Sequence, residues 1–135
     1  MTNETSQTGS AQGGVRWLLR AEGLALLGGA AALYWRVGGD WRLFAALFLV
    51  PDASFAGYLA GPRVGAAAYD AMHSTVGPLL LAAVGIALAQ PLVTAIALIW
   101  LAHVGFDRAL GYGLKYASGF GFTHLGRIGR ASQEN

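Results

Sequence analysis

Acids and imidazoles stand inside apolar stretches of this chain, at spacings that put them on shared helix faces. Asp70 and His73 are spaced i, i+3, and His103 and Asp107 are spaced i, i+4. In a helix, side chains three or four residues apart are neighbours on one face. Imidazole nitrogens with carboxylate oxygens suit Zn²⁺, Mn²⁺ or Fe²⁺. The same groups also exchange protons near neutral pH.

Four apolar stretches carry these groups, and each has about the ~20 residues that cross a bilayer core as a helix. They cover residues 17–35, 41–60, 64–89 and 92–112. The chain is 55% hydrophobic and only 12% charged, whereas a soluble domain carries about 25% charged residues. The sequence therefore predicts an all-α fold, a four-helix transmembrane bundle with short loops between antiparallel neighbours.

The chain is short enough for one membrane domain, predicted over residues 16–130. The polar segments 1–15 and 131–135 are predicted to be disordered tails. A second interpretation takes the first apolar stretch as a signal-peptide core, but the basic start of such peptides is missing. The Gly-rich residues 111–129 are predicted to form an interfacial segment rather than a regular helix.

Lysine and arginine predict the orientation of the bundle. Seven of the nine fall on one side of the predicted spans, and only Arg36 and Arg42 fall on the other. The positive-inside rule then puts both termini in the cytoplasm. Arg63, Arg127 and Arg130 are expected to be lipid-facing anchors at the cytoplasmic surface.

The buried polar residues are predicted to share one layer of the membrane. At 1.5 Å per residue, six of them lie roughly 7 to 13 Å in from the cytoplasmic ends of their spans. His124 is expected near the cytoplasmic mouth of the same layer. The predicted polar cluster comprises Glu22, Asp52, Asp70, His73, His103, Asp107 and His124.

The other half of the predicted bundle is almost free of polar side chains. Residues 25–33, 43–50 and 76–89 contain no charge, hydroxyl or amide, and residues 92–99 contain only Thr94. A single chain therefore offers no polar path across the membrane. This pattern favours a pocket open to the cytoplasm over a channel or pump.

A metal site is the first hypothesis for this pocket, with His73, His103 and Asp107 as ligands, Asp70 or Asp52 next, and His124 as a ligand from a lid. Metal sites in bundles are built from inward carboxylates and histidines on facing helices. A bound water would then support hydrolysis of a lipid headgroup or another small amphiphile in the cytoplasmic leaflet.

The second hypothesis is a non-enzymatic binding or subunit protein, whose buried charges pair with one another and fix helix register. The lipid bilayer is the expected partner in both cases, and a homo-oligomer with a small-molecule or lipid ligand stays open. No basic run suggests nucleic acid. The chain has no cysteine, so thiol chemistry is excluded.

Two segments carry a resemblance to a known family. They read PDASFAGYLAGPRVGAAAYDAMH (51–73) and WLAHVGFDRALGYGLKYASGFGFTHLGRIG (100–129). Over about residues 16–130 the chain resembles a bacterial family of small integral membrane proteins known only as a domain of unknown function. The resemblance implies a membrane location and no activity. It also implies that the C-terminal glycine-rich segment belongs with the core.

Overall fold

The computed structural model describes residues 10–117 and 121–127, and this part of the chain is helical apart from turns and one short hairpin. The prediction of an all-helical chain is confirmed. The helices are α1 (Gly13–Arg36), α2 (Trp41–Leu47), a 3₁₀ helix (Val50–Ala60), α3 (Pro62–His73), α4 (Val76–Ala87) and α5 (Pro91–Leu110). The antiparallel strands β1 (Phe122–Thr123) and β2 (Gly126–Arg127) form the hairpin.

Two helical segments of the described chain are long and apolar enough to cross a membrane: Trp41–Ala60 and Pro91–Leu110. A third span exists if α3 and α4, which meet at a 40° bend, count as one broken crossing. The 24 residues of α1 are long enough to span. However, Arg20 and Glu22 lie within its first half and lower its hydropathy, and α1 is not among the candidate spans.

The ends of the helices follow from local chemistry. Pro62 and Pro91 occupy the first turns of α3 and α5, where the missing N–H of proline leaves no intrahelical bond unmade. The carboxylate of Asp40 caps α2 by accepting the Arg42 N–H at 2.8 Å. Gly111 ends α5 with φ of 91°, a left-handed conformation that favours glycine.

The third apolar stretch was predicted as one helix, and the structure corrects this to two. Ser74 adopts an extended conformation with ψ of 158° after His73. Pro78 lies in the first turn of α4 and has no N–H to continue an α-helical ladder back to Ser74. Two α5 side chains bond to carbonyls at the end of α3: Trp100 Nε1–H donates to Met72 O at 2.6 Å, and Arg108 donates to His73 O at 3.2 Å.

The second apolar stretch is also divided, between α2 and the 3₁₀ helix. Pro51 stands at the start of the 3₁₀ helix, and its missing N–H prevents the α-helical bond to Leu47 O. The Pro51 carbonyl accepts the Ser54 hydroxyl at 2.7 Å. Runs of 3₁₀ helix beyond three or four residues are uncommon, so the 11 residues here are an unusual setting for Asp52.

Glycines allow α1 and α5 to pack backbone against backbone. A Cβ added at Gly105 would lie 2.5 Å from Leu27 N, and one added at Gly23 would lie 2.7 Å from Ala109 N. Small residues of this kind permit close helix approach in membranes. This contact fixes the rotation of α5, and hence the direction in which His103 and Asp107 point.

The C-terminal segment, residues 111–117 and 121–127 of the described chain, packs against the helices. Leu125 is fully buried and Lys115 is only 4% exposed. At the other end, α1 begins at Gly13, inside the segment predicted as a tail. Residues 10–12 of the predicted tail are also described, and the Ala11 N–H donates to His124 O at 2.6 Å. Predicted tail residues 1–9 and 131–135 lie outside the described residues.

Candidate metal centre

Three separate elements supply four side chains to one point in the fold. Asp52 lies in the first turn of the 3₁₀ helix, His73 is the last residue of α3, and His103 and Asp107 share one face of α5. We call these four residues the His–Asp cluster. The bend after α3 matters here because it places His73 at a helix end, facing both α5 and the 3₁₀ helix.

Five of the six distances among the ligand atoms of the His–Asp cluster are nearly equal. His73 Nε2 lies 3.1 Å from Asp52 Oδ1 and 3.3 Å from Asp107 Oδ2. His103 Nε2 lies 3.3 Å from each of the same two oxygens. The two Nε2 atoms are 3.1 Å apart, and all four atoms lie within 4.8 Å of one another. Each histidine nitrogen therefore lies close to the other and to both carboxylate oxygens, which is close enough for one ion to contact all four residues.

Main-chain and aromatic contacts set the orientation of His73. Its Nδ1 donates to the Tyr69 carbonyl at 2.8 Å, and because a carbonyl only accepts, the proton must be on Nδ1. The imidazole also stacks on the Tyr69 ring, with centroids 3.7 Å apart and planes 8° from parallel. A neutral His73 therefore presents the lone pair of Nε2 to the centre of the cluster, which is the usual arrangement for a metal-binding histidine.

His103 and Asp107 are held in the interior. His103 is 1% exposed, and the Phe48 ring meets it edge to face at 5.3 Å. The buried Nδ1 of His103 makes no hydrogen bond among the described residues. The backbone of Phe48 lies beside the His103 ring. Asp107 Oδ2 accepts a long hydrogen bond from the Tyr69 hydroxyl at 3.5 Å.

Burial is uneven across the cluster. The side chains of His73, His103 and Asp107 are 3%, 1% and 13% exposed, whereas that of Asp52 is 35% exposed. Three ligands are thus fixed by packing on all sides, and the fourth lies at an open edge. The contrast gives the cluster a defined side from which a molecule can approach.

Three residues of the predicted polar cluster lie elsewhere. Asp70 accepts the Lys115 N–H at 2.6 Å instead of facing the histidines. Glu22 is exposed on α1, because its neighbour Gly23 occupies the face that packs against α5. His124 accepts the Leu114 N–H on Nδ1 at 2.8 Å and belongs to the C-terminal segment. The structure therefore brings together Asp52, His73, His103 and Asp107 alone from that predicted set.

Burial changes the pKa of two groups in the C-terminal segment. Burial lowers the pKa of Lys115 to about 8, although Asp107 and Asp70 favour its charged form. Lys115 Nζ lies 4.7 Å from the centre of the Tyr69 ring, so this cation borders the residue that orients His73. Burial, with the Arg108 charge second, lowers the pKa of His124. Sequence reasoning missed Lys115, because no periodic pattern in a Gly-rich segment indicates which side chain turns inward.

The structure describes the three predicted lipid anchors to different extents. Arg63 is exposed in the first turn of α3. Arg127 contributes backbone to β2, and Arg130 lies outside the described residues. Their contact with lipid stays a prediction.

Comparison with known proteins gives a family for the chain. The profile of a domain of unknown function, DUF4260, matches residues 16–128. The chain belongs to the DUF4260 family. The match includes all four residues of the His–Asp cluster and the whole described C-terminal segment, and it confirms the resemblance to a domain of unknown function. No curated protein and no solved structure matches this DUF4260 chain.

Proposed function

We propose that this protein binds one divalent transition-metal ion in the His–Asp cluster, inside its membrane domain. The observation that carries the proposal is the spacing of the four ligand atoms, at 3.1 to 3.3 Å for every His–His and His–Asp pair. An ion bound tetrahedrally with bonds of about 2.0 Å has ligand atoms about 3.3 Å apart. Zn²⁺ fits this donor set best, and Mn²⁺ and Fe²⁺ accept the same donors.

Charge balance supports an ion at this depth in the fold. Two carboxylates and two neutral imidazoles carry a net charge of −2, which a divalent cation cancels. A neutral centre avoids most of the cost of holding charge in a low-dielectric interior. The ligand set is therefore matched to a 2+ ion in charge as well as in spacing.

A metal-free hydrogen-bonded network explains the same geometry less well. With its proton on Nδ1, neutral His73 offers only a lone pair to Asp52 Oδ1 and Asp107 Oδ2, and both oxygens also present lone pairs. Protonating both imidazoles instead points two N–H groups at each other across 3.1 Å. Protonating only His103 Nε2 supplies a single N–H for three neighbouring acceptors, His73 Nε2, Asp52 Oδ1 and Asp107 Oδ2. Close contacts between acceptors remain in this arrangement too, and a bound ion removes them.

The open edge at Asp52 favours catalysis over a purely structural ion. A structural zinc has four protein ligands, whereas a catalytic zinc keeps one position for water or substrate. Asp52 is the most exposed ligand at 35%, and it is the one that can yield its position. A bound zinc lowers the pKa of a coordinated water to about 7. We therefore propose a metal-dependent hydrolase acting on a small membrane-associated molecule, with a non-catalytic metal protein as the second candidate.

The membrane arrangement belongs to the same proposal. We place α1 in the membrane as a fourth span, because its 24 residues reach about 36 Å at 1.5 Å per residue. Both termini then lie on the cytoplasmic side of a bacterial plasma membrane. The exposed Arg63 lies on that side, in the first turn of α3.

Metal content is the direct test. The protein is purified in detergent without chelators or a histidine tag, reconstituted with Zn²⁺, desalted and measured by elemental analysis. We expect one Zn²⁺ per chain in the wild type and none retained by His73→Ala or His103→Ala. His124→Ala is the matched control and keeps its zinc, because His124 lies outside the cluster.

Cobalt substitution tests the geometry independently of content. Co²⁺ in a tetrahedral site absorbs visible light strongly, and we expect that spectrum in the wild type and not in His103→Ala. A wild-type protein that retains no zinc and shows no such cobalt spectrum would refute the metal proposal.

A further inference from the structure

An apolar cavity of about 200 Å³ lies beside the His–Asp cluster. Its walls come from α2, the 3₁₀ helix and α3 on one side and from α4 and α5 on the other. Every lining side chain is apolar apart from the indole N–H of Trp100, which is already bonded to Met72 O. Dry apolar cavities of this order of size bind apolar ligands such as benzene.

The cavity and the cluster share their supporting residues. Pro51 and Met72 line the cavity, and each directly precedes a ligand of the cluster, Asp52 or His73. Trp100 also lines it and lies three residues before His103 on α5. The cavity and the cluster therefore share three elements, the 3₁₀ helix, α3 and α5, and lie next to each other along each of them.

The cavity wall is a fixed part of the fold. The Trp100 indole is tied to the end of α3 by its 2.6 Å bond to Met72 O. Its ring also packs against Gly77 on α4, where an added Cβ would lie 2.5 Å from the ring. Trp100 thus bridges the bend between α3 and α4, and the space beside it follows from that bend.

From these observations we infer that the apolar cavity binds the hydrocarbon chain of a fatty-acyl compound whose carbonyl or carboxylate oxygen reaches the His–Asp cluster. An apolar slot beside oxygen and nitrogen ligands fits a molecule with an apolar chain and one polar end. Chains of this kind are the surrounding solvent of a membrane domain. The proposal that the cavity binds a hydrocarbon chain rests on the cavity alone, whereas the position of the polar end rests on the proposed metal site.

Quenching of Trp100 fluorescence tests the chain-binding half without a metal. The protein carries Trp17→Phe, Trp35→Phe and Trp41→Phe, which leaves Trp100 as the single indole, and is placed in lipid nanodiscs. The probe is octadecanoic acid brominated at mid-chain, because bromine quenches indole fluorescence on contact. We expect quenching that saturates at a low mole fraction of probe.

Two leucine-to-phenylalanine variants, one inside the cavity and one outside it, provide a matched comparison. Leu81→Phe adds bulk to the cavity wall, and we expect it to weaken probe binding roughly tenfold or more, as for a misfit of one or two groups in an apolar pocket. Leu80→Phe makes the same change at the neighbouring position, which is 64% exposed and outside the cavity, and it leaves binding unchanged. If quenching rises in proportion to the mole fraction of probe, and does so equally in the single-tryptophan protein and in its Leu81→Phe and Leu80→Phe variants, the cavity assignment is overturned.

A cobalt-loaded sample then separates the two proposals. Decanoate should perturb the Co²⁺ spectrum of the wild type at far lower concentration than acetate, and Leu81→Phe should abolish that advantage. A tetrahedral cobalt spectrum with equal responses to decanoate and acetate would overturn the link between chain and cluster, and leave the metal site standing. Saturable quenching without any cobalt binding would support the chain site and refute the metal proposal.

Discussion

The His–Asp cluster and the contacts of the C-terminal segment both use an acid and a histidine, yet in opposite ways. At the C-terminal segment, the Lys115 N–H donates to Asp70 of α3 and the Leu114 N–H donates to His124. Every such bond joins a donor to an acceptor. In the His–Asp cluster, the side chains instead turn nitrogen and oxygen atoms toward one another, with 3.1 to 3.3 Å between His73 and each carboxylate. The presence of acids and histidines therefore does not by itself distinguish a candidate ligand set from a structural hydrogen bond; the difference is whether the side chains face one another or the backbone.

The strongest test of this contrast is stability in the presence of zinc. Zinc at a thousand times its Kd should raise the wild-type free energy of unfolding by about 4 kcal/mol, because the ion binds only the folded chain. The increase should vanish in His73→Ala and His103→Ala. Unfolding in detergent, followed by circular dichroism with and without zinc, measures it.

A double-mutant cycle on these two histidines sharpens the result. Without metal, the double variant should differ from the sum of the single variants by about 0.5–3 kcal/mol, since the residues share partners. Strict additivity would mean that the two rings do not belong to one site.

A smaller effect is expected from Asp70→Ala in α3, the residue that binds the C-terminal segment through the Lys115 N–H. The substitution removes the acceptor of the Lys115 N–H, and leaving that donor unsatisfied should lower stability by about 1–3 kcal/mol. Amide exchange at Lys115 should accelerate while zinc content stays at the wild-type level. Loss of zinc from this variant would break the distinction between the two regions.

The smallest expected effect is the response of the C-terminal segment to acid. The folded pKa of His124 lies below its ordinary value of 6.5, so the unfolded chain binds the proton first as the pH falls. Stability should therefore decline as the pH drops below about 6.5 and level off once the pH is below the folded pKa. Protonation also removes the acceptor that binds the Leu114 N–H.

Hydrogen exchange of residues 111–117 at pH 7 and pH 5 measures this response. His124→Gln, which cannot titrate, should exchange at similar rates after correction for intrinsic chemistry. Equal acid sensitivity in this variant would assign the response to another group.

The sequence predicted the helices and the presence of buried histidines. The prediction was wrong where it treated an apolar stretch as one continuous helix. Apolar length and helix spacing were enough to expect His103 and Asp107 on one face of α5. Depth within a span did not separate Asp52 from Asp70, because depth leaves the rotation of each helix open. That rotation depends on packing, through Gly23 and Gly105 for α1 and α5. Predicting the break after His73 required recognising that Pro78, which has no N–H, interrupts the α-helical hydrogen bonds of the third apolar stretch.

The 3₁₀ helix that carries Asp52 has a consequence for bilayer thickness. At about 2.0 Å per residue, its 11 residues extend about 22 Å, against about 16 Å for the same residues as an α-helix. As a membrane span, the candidate segment Trp41–Ala60 would cover more of the hydrocarbon layer than its length in residues indicates. Compressing it toward an α-helix would shorten the span and rotate Asp52 about the axis, so a thinner bilayer would act directly on the most exposed residue of the His–Asp cluster.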